Sequence, residues 1–327
     1  MGKRSRRAST LEDVLSKVKA DTGQDIGTAR GNLAIDQPEV EILESDTLAL
    51  NNILGHKGLP RGRVVEVFGA EAGGKTTLTL HIIAAAQKRG HIAAFIDAEH
   101  ALDPAYATAL GVDMEKLILY QPNSGEDALT MAESLVSTGD VALVVIDSVA
   151  ALVPQAELDG EMGDSHPGLQ ARLMSQALRK LTGKISSTKA TVIFINQLRM
   201  KIGVFGGGSP KTTSGGRALR FYASVRIEVT RIGSLKRGDV AYGNRVKLNC
   251  VKNKVAPPFR TTEVDLIFGK GICIEAQAMN AALAEGLIAR KGAWYSYGDV
   301  MRCQGLQKCL TFLEENPKVT DEILAKL

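Results

Sequence analysis

From Arg63 onward the chain alternates short, almost purely apolar runs with stretches whose apolar positions recur at helical spacing. Val64–Phe68, Ile92–Ile96, Val141–Ile146 and Thr191–Ile195 have strand length and are rich in β-branched residues. The segments between them, near 75–89, 125–137 and 168–187, suit helices. Strands that dispense with polar alternation are buried on both faces, so the pattern predicts an α/β fold with a mostly parallel central sheet. Val225–Thr230 and Val246–Val251 read as later strands, expected as antiparallel additions at an edge. After Gly271 the composition turns to an alanine-rich helix (Glu275–Ala289), then Gly292–Tyr297, then a helix from Leu306 to Glu315, which together predict a small C-terminal α+β domain.

The N-terminal part follows another pattern. Thr10 precedes Leu11, Val14, Leu15 and Val18, an i, i+3, i+4, i+7 stripe closed by Gly23, which predicts a short amphipathic helix. Three turns of isolated helix are marginal in water, so its apolar face is expected to dock on its own domain or on a neighbouring subunit. Residues 24–45 give no readable pattern. The expected organisation is an oligomerisation arm over 1–45, a core over 46–271 and a C-terminal domain over 272–327.

Composition narrows the class. With 327 residues, 44% of them hydrophobic, the chain can bury a substantial core. No apolar run reaches membrane-spanning length, and no apolar segment follows the basic start (Lys3, Arg4, Arg6, Arg7), so a soluble cytoplasmic protein without a membrane partner is expected. Cys250, Cys273, Cys303 and Cys309 lack zinc-ligand spacing and read as reduced filler. The net charge of +4 decides little, but its distribution decides more. Between Asp164 and Glu228 there is no acidic residue and there are eleven cations, Arg172, Arg179, Lys180, Lys184, Lys189, Arg199, Lys201, Lys211, Arg217, Arg220 and Arg226. Such a segregated band suits a polyanion, because neutralised phosphates release condensed counterions. A basic helix face paired with acids from elsewhere is the plainer alternative.

Gly69-Ala70-Glu71-Ala72-Gly73-Gly74-Lys75-Thr76 fits GxxxxGK[ST] between an apolar strand and a helix. The N–H groups of such a turn point inward and cradle phosphates, Lys75 reaches the β/γ-phosphates, and the Thr76 hydroxyl serves Mg²⁺. Asp147 ends an apolar strand, where a carboxylate either caps a helix or holds the metal; beside a phosphate loop the second role is favoured. Within Ile96-Asp97-Ala98-Glu99-His100, either Glu99 or Asp97 is placed to orient an attacking water, with loop capping as the other role for each. His100 reads as structural.

Gln197 closes the strand Thr191–Ile195 and opens a cationic, glycine-rich stretch from Leu198 to Ser214. An amide at that tip either senses a γ-phosphate and passes its state to the loop, or is an ordinary turn residue. The loop cannot bury enough apolar surface to order itself, which fits ordering on a phosphate backbone or a plain linker.

These blocks, with Phe95–Pro104, Val145–Leu152, Gly163–His166, Ile195–Gln197 and Val251–Lys254, resemble the bacterial RecA recombinase family from about Ser45 to Tyr297, as a divergent member. The resemblance implies an ATP- and Mg²⁺-dependent, DNA-dependent ATPase with a RecA-type P-loop core. It implies a helical homo-oligomeric filament on single-stranded DNA that pairs with double-stranded DNA, working in recombinational repair and the SOS response in the nucleoid. Glu99 would be the catalytic base and Gln197 the γ-phosphate sensor, while Lys252 and Lys254 would reach into the neighbour's site. Gly69 through Thr77 would hold the phosphates, with Asp103, Tyr106 and Phe268 at the adenine. Gly160–Gly168 and Leu198–Ser214 would be DNA loops, with Arg172, Arg179, Arg199, Lys201, Ile202, Gly203, Gly215, Gly216 and Arg217 at the DNA. Stimulated self-cleavage of an SOS-type repressor is a further family property.

Departures from the family pattern also carry expectations. Pro167 replaces a methionine that props bases apart, Phe205 precedes three glycines, and Thr230 and Asn249 stand where basic residues are common, while Arg231 and Lys247 keep their charge. The chain ends at Leu327 without an acidic tail, which leaves DNA binding less restrained. A ring-shaped motor on the same core and a non-catalytic, nucleotide-switched assembly are the rival readings.

Overall fold

The computed structural model describes residues 10–23, 40–161, 168–200 and 211–327, with the side chains of 199, 200, 211 and 212 outside that description. The chain divides into two compact units, Met1–Glu41 and Ile42–Leu327. In the first, α1 (Leu11–Thr22) forms where the apolar stripe places it. The Thr10 hydroxyl accepts from the Asp13 N–H while the Asp13 carboxylate accepts from the Thr10 N–H, a reciprocal cap that also holds Asp13 below the usual carboxylate range. Gly23 closes the helix at φ +68°, and none of the helix's residues is buried.

The second unit opens with β1 (Ile42–Glu44), α2 (Leu48–Leu54) and β2 (Gly58–Pro60). It continues through β3 (Val64–Gly69), α3 (Lys75–Lys88), β4 (Ile92–Asp97), α4 (Pro104–Ala109), β5 (Ile118–Tyr120), α5 (Gly125–Ser137) and β6 (Val141–Asp147). Then follow α6 (Gln155–Leu158), α7 (Leu169–Thr188), β7 (Thr191–Met200), β8 (Lys211–Thr213) and α8 (Ala218–Tyr222). β9 (Val225–Arg237), β10 (Val240–Asn253), β11 (Thr261–Ile267) and β12 (Gly271–Ile272) complete the large sheet, whose order is β12-β11-β10-β9-β3-β7-β6-β4-β5.

From β9 to β5 every pairing in that order is parallel, and from β9 to β12 every pairing is antiparallel. Strict alternation inside the apolar strands feeds two cores. Val65, Val67, Phe95, Leu143, Val145, Ile193 and Ile195 face α2 and α3, while Val64, Ala94, Ile96, Val144, Ile146, Val192 and Phe194 face α5 and α7. Phe95 and Phe194 are among the largest fully buried side chains, and truncating either to Ala typically costs about 3–5 kcal/mol.

Two expectations about strands need correcting. β9 is not an antiparallel edge addition: the Ser224 N–H donates to Val64 O, so the chain re-enters at the start of β3 and runs parallel to it inside the sheet. β9 and β10 also extend well beyond the apolar runs, into an outer hairpin turned at Gly238 (φ +61°) that carries little buried surface and so little apolar signal.

The C-terminal part is α9 (Ile274–Ala284), the antiparallel sheet β13 (Ala289–Lys291), β14 (Trp294–Tyr297) and β15 (Met301–Gln304), then α10 (Leu306–Glu315) and α11 (Pro317–Lys326). α9 stops short of the expected Ala289, because Gly286 turns at φ +72° and Ala289 opens β13. α11 was not anticipated; Pro317 sits at its first turn, where a missing N–H costs nothing. A separate apolar cluster of Ala278, Met279, Ile288, Tyr295, Tyr297, Met301, Cys309 and Leu313 holds this part together. Among the described residues no helix is long and apolar enough to cross a membrane.

Candidate nucleotide and nucleic-acid site

The parallel strands end together along one edge. Gly69 aligns with Gln197 across β3 and β7, and Asp97 with Asp147 across β4 and β6. The C-terminal edge of such a sheet is where open α/β folds bind ligands.

The turn after β3 is shaped by close approach. A Cβ on Gly69 would lie 2.1 Å from Val229 O, and one on Gly74, at φ +91°, would lie 2.2 Å from Leu266 Cδ1. Ala72 is also left-handed, at φ +52°. Backbone therefore packs where side chains cannot, and the turn and the start of α3 line a cavity of about 370 Å³. It is lined by Ala72 to Thr77, Tyr106, Asn244, Leu266, Ile267, Phe268 and Gly269. Asp103 is not among these residues; its carboxylate caps α4 through the N–H groups of Ala105 and Tyr106. The Thr77 and Tyr106 hydroxyls pair at 3.0 Å, and Phe268 is exposed, offering an aromatic face. Asn244, Leu266 and Ile267 were not foreseen, because they come from β10 and β11, remote in sequence and without a local motif. The buried Asn244 Oδ1 has no hydrogen-bond partner among the described residues.

Lys75 Nζ rests on Ala70 O at 2.7 Å, and burial lowers its pKa against the opposing pull of Asp147, Glu99 and Glu71. Thr76 Oγ1 donates to Asp147 Oδ2 at 2.6 Å. Burial, helped by Glu99 and Asp97, pushes the Asp147 carboxyl up to about 6 against the Thr76 hydrogen bond and the Lys75 charge. A hydroxyl and a crowded carboxylate side by side are hard oxygen donors that a divalent cation would stabilise, so this pair fits Mg²⁺.

The two acids on the β4 tip separate cleanly. The Asp97 carboxylate, 1% exposed, is consumed by the N–H groups of Ala101 and Leu102 and by Gln121 Nε2, which is the capping role. The Glu99 carboxylate accepts from the Ser148 hydroxyl and from Gln197 Nε2, the latter at 3.0 Å. Ser148 had no role in the sequence reading; its only signal was its place directly after Asp147. His100 holds the turn at φ +54°.

Gln197 does not close its strand. β7 runs on to Met200 and pairs antiparallel with β8, so both ends of the expected second loop form a two-stranded stem. Lys201, Ile202, Gly203 and Phe205, like Pro167 in the expected first loop, lie outside the described residues, as does the Arg199 side chain. At the root of the stem, Gly215 (φ +73°) and Gly216 (φ +78°) pass so close to Val149 and Ala171 that a Cβ on either would approach to 2.7 Å. Gln170, also unforeseen, ties this root down: its Oε1 accepts from the Gly215 N–H, and its Nε2 donates to Val149 O and Leu152 O.

Arg172 and Arg179 lie two turns apart on α7, and Arg217 caps α8. The cationic band is not wholly unpaired: on the α7 face Lys184 bridges Glu133 at 2.7 Å, as the plainer reading has it, and on β9 Arg226 bridges Glu66 at 2.5 Å. Lys252 and Lys254 do not line their own chain's nucleotide cavity. Lys252 Nζ donates to Arg220 O at 2.6 Å and to Phe221 O at 3.2 Å, and burial, with Lys254 and Arg226 nearby, lowers its pKa. A larger cavity of about 770 Å³, lined by His81, Tyr242, Lys270 and Glu314 among others, contains no residue of the phosphate turn. Size does not choose between the two cavities; convergent phosphate donors do, and they select the smaller.

A glycine-rich GxxxxGK[ST] turn after β3, an acid ending β6 and an amide on β7 bonded to Glu99, along the parallel part of the sheet, define a P-loop ATPase with a RecA-type core. The comparisons agree. The family model for the RecA N-terminal domain matches residues 9–273, and that for the RecA C-terminal domain matches 276–327. Protein RecA of Bifidobacterium longum is 52% identical over 324 residues, covering 98% of this chain and 80% of the relative. Protein RecA of Rubrobacter xylanophilus is 52% identical over 317 residues, covering 97% and 91%. A crystal structure of the RadB recombinase shares the fold, with TM-score 0.53 and 22% identity over 71% of this chain and 98% of that one. The chain belongs to the RecA family. It is an ATP-dependent DNA recombinase of recombination and repair, a DNA-dependent ATPase that binds DNA and forms filaments.

Proposed function

We propose that the chain forms a helical filament on single-stranded DNA, in the cytoplasm at the nucleoid, and there pairs it with a homologous duplex. The arm over 1–45 joins subunits, residues 46–271 bind nucleotide and DNA, and residues 272–327 form the C-terminal α+β domain. The observation that carries this reading is the Glu99 carboxylate held by Ser148 and Gln197 beside the Asp147–Thr76 pair.

In this reading Gly69 to Thr77 wrap the triphosphate, with Lys75 leaving Ala70 O to meet the β/γ-phosphates. Thr76 and Asp147 hold Mg²⁺, which when bound neutralises charge on the phosphates. Glu99 takes the proton of the attacking water, and Ser148 and Gln197 fix its orientation. Tyr106 and Phe268 border the adenine, and Asp103 caps the helix that presents Tyr106. Lys252 and Lys254 of one subunit face the nucleotide of the next and balance the charge that develops during phosphoryl transfer. Arg172, Arg179, Arg199, Lys201, Ile202, Gly203, Gly215, Gly216 and Arg217 follow the DNA backbone, and Gln197 passes the nucleotide state to the stem of β7 and β8. The same filament stimulates self-cleavage of an SOS-type repressor.

Imaging the protein with single-stranded DNA and a slowly hydrolysed ATP analogue tests the assembly. Long helical filaments that need the analogue support it. Closed rings, or ATP turnover indifferent to single-stranded DNA, overturn it.

A further inference from the structure

Glu66 is an acid in the middle of an otherwise apolar central strand, Val64-Val65-Glu66-Val67-Phe68, and it is 0% exposed. A buried carboxylate is costly unless its oxygens are taken up, and an apolar residue would pack there more simply. Both oxygens are taken up, on opposite sides. Oε2 accepts from Arg226 Nε at 2.5 Å, and Oε1 accepts from Asn196 Nδ2 at 3.0 Å. The Arg226 guanidinium also lies over the Phe68 ring, 4.5 Å from its centroid.

These groups form one row across four neighbouring strands. Phe68 registers with Asn196 on β7, Glu66 with Arg226 on β9, and Arg226 with Lys252 on β10. At the β7 end, Asn196 Oδ1 accepts from the Gln197 N–H at 2.9 Å, and Asn196 Nδ2 donates to Ser214 O at 3.2 Å. Asn196 therefore grips both the backbone of the amide that touches Glu99 and the far side of the β7–β8 stem. The buried Ser214 hydroxyl beside it has no hydrogen-bond partner among the described residues, so this root has polar capacity to spare for a second arrangement. At the β10 end, Lys252 is tied to the carbonyls of Arg220 and Phe221, and the Phe221 side chain is 71% exposed.

We propose that Glu66 is a positioning residue that couples the two ends of this row. Through Asn196 it sets the Gln197 backbone and the root of the second DNA loop, and through Arg226 it sets the strand that presents Lys252 to the next subunit. Side-chain hydrogen bonds run from Asn196 through Glu66 to Arg226, and the β9–β10 pairing carries the row on to Lys252, so the subunit contact and the DNA loop bias each other, and such a coupling is reciprocal. The inference rests on the roles given above to Gln197 and Lys252.

The test uses the full chain with Glu66→Gln, which keeps the shape and removes the charge, and with Asn196→Ala, which spares the Glu66–Arg226 pair and cuts only the loop side. Four quantities are read: melting temperature, affinity for a fluorescent ATP analogue without DNA, the gain in single-stranded DNA affinity that the analogue produces, and ATP turnover with and without DNA. In both variants the analogue affinity without DNA is expected to match wild type, while the gain in DNA affinity and the DNA stimulation of turnover fall on the order of tenfold. Folded variants with wild-type coupling overturn the proposal. So does a uniform loss of nucleotide and DNA binding that follows the melting temperature in both variants, because that is the signature of a purely structural pair. If wild type itself shows no DNA-stimulated turnover, it is the recombinase reading that fails, and this inference falls with it.

Discussion

Gln197 Nε2 and the Ser148 hydroxyl both donate to the same oxygen of Glu99, Oε1, so one carboxylate is steered from β7 and from the residue that follows β6. Replacing Glu99 with Gln keeps the size and most of the hydrogen-bonding capacity but removes the proton acceptor. The expected outcome is a fall in ATP turnover of about 10²–10⁴-fold with nucleotide affinity little changed. Steady-state hydrolysis alongside equilibrium binding of a labelled nucleotide checks it. Turnover equal to wild type would return the chain to the class of nucleotide-switched assemblies.

Lys75 sits on Ala70 O with its charge disfavoured by burial, a resting contact that a phosphate can replace. Lys75→Ala removes a charge-assisted hydrogen bond of about 1.5–3 kcal/mol, so nucleotide affinity is expected to weaken by about 10–100-fold, measured by titration of the same labelled nucleotide. Hydrolysis that still rises on addition of DNA would place the phosphate site elsewhere.

How far the site could be read from the chain depended on whether its parts are local. Gly69 to Thr76 form a contiguous string whose spacing is the chemistry, and Asp147 and Glu99 stand beside apolar runs that announce strand tips. The choice between Asp97 and Glu99 was not legible, because it turns on which carboxylate the backbone N–H groups of Ala101 and Leu102 capture. Asn244 and Leu266 reach the cavity only through the antiparallel half of the sheet, whose order no periodicity encodes. The direction of β9 was misjudged for the same reason: a strand's apolar alternation is identical whichever way it runs. Glu66 was passed over because one acid in an apolar run looks like noise until Arg226 and Asn196 are seen to close on it.

His81, on α3, accepts the Ile272 N–H through Nε2 at 2.9 Å, and burial pushes its pKa down to about 4 from an ordinary 6.5. Between those two values the unfolded chain binds a proton that the folded chain refuses. The stability contribution is therefore full above about 6.5 and is lost as pH falls towards 4, to an upper bound of about 3 kcal/mol. His81→Gln retains an acceptor and removes the titration, so the difference in unfolding free energy between wild type and variant should change across that window and be flat above it. Denaturant melts at a series of pH values measure this difference. Parallel pH profiles for the two proteins would mean that His81 is hydrated in the folded state.

Arg172, Arg179 and Arg217 carry distinct expectations from those of the sheet-edge residues, because a backbone contact contributes charge and not chemistry. Arg217→Ala should weaken single-stranded DNA binding evenly across sequences and reduce the slope of log affinity against log salt by about 1. DNA-free nucleotide affinity should stay at the wild-type value. Fluorescence anisotropy over a salt series gives the slope, and an unchanged slope removes Arg217 from the DNA path.

Lys252 offers a test of whether the site is built from one chain or two. It does not line its own nucleotide cavity, and the carbonyls of Arg220 and Phe221 hold its ammonium on another part of the surface. Lys252→Ala alone is expected to lower DNA-stimulated turnover by about 10³-fold or more, the scale at which a positive charge supplied by a neighbouring subunit acts in phosphoryl transfer. A Lys75→Ala chain has an intact Lys252 but a crippled phosphate turn, so it too is nearly inactive alone. Mixed on the same DNA, some neighbours pair a working phosphate turn from one variant with a working lysine from the other. Turnover of the mixture should therefore exceed the sum of the separate activities and peak near equal proportions. A residue acting within its own subunit gains nothing from such a neighbour, and a mixture that is simply additive would place Lys252 outside the neighbour's reaction.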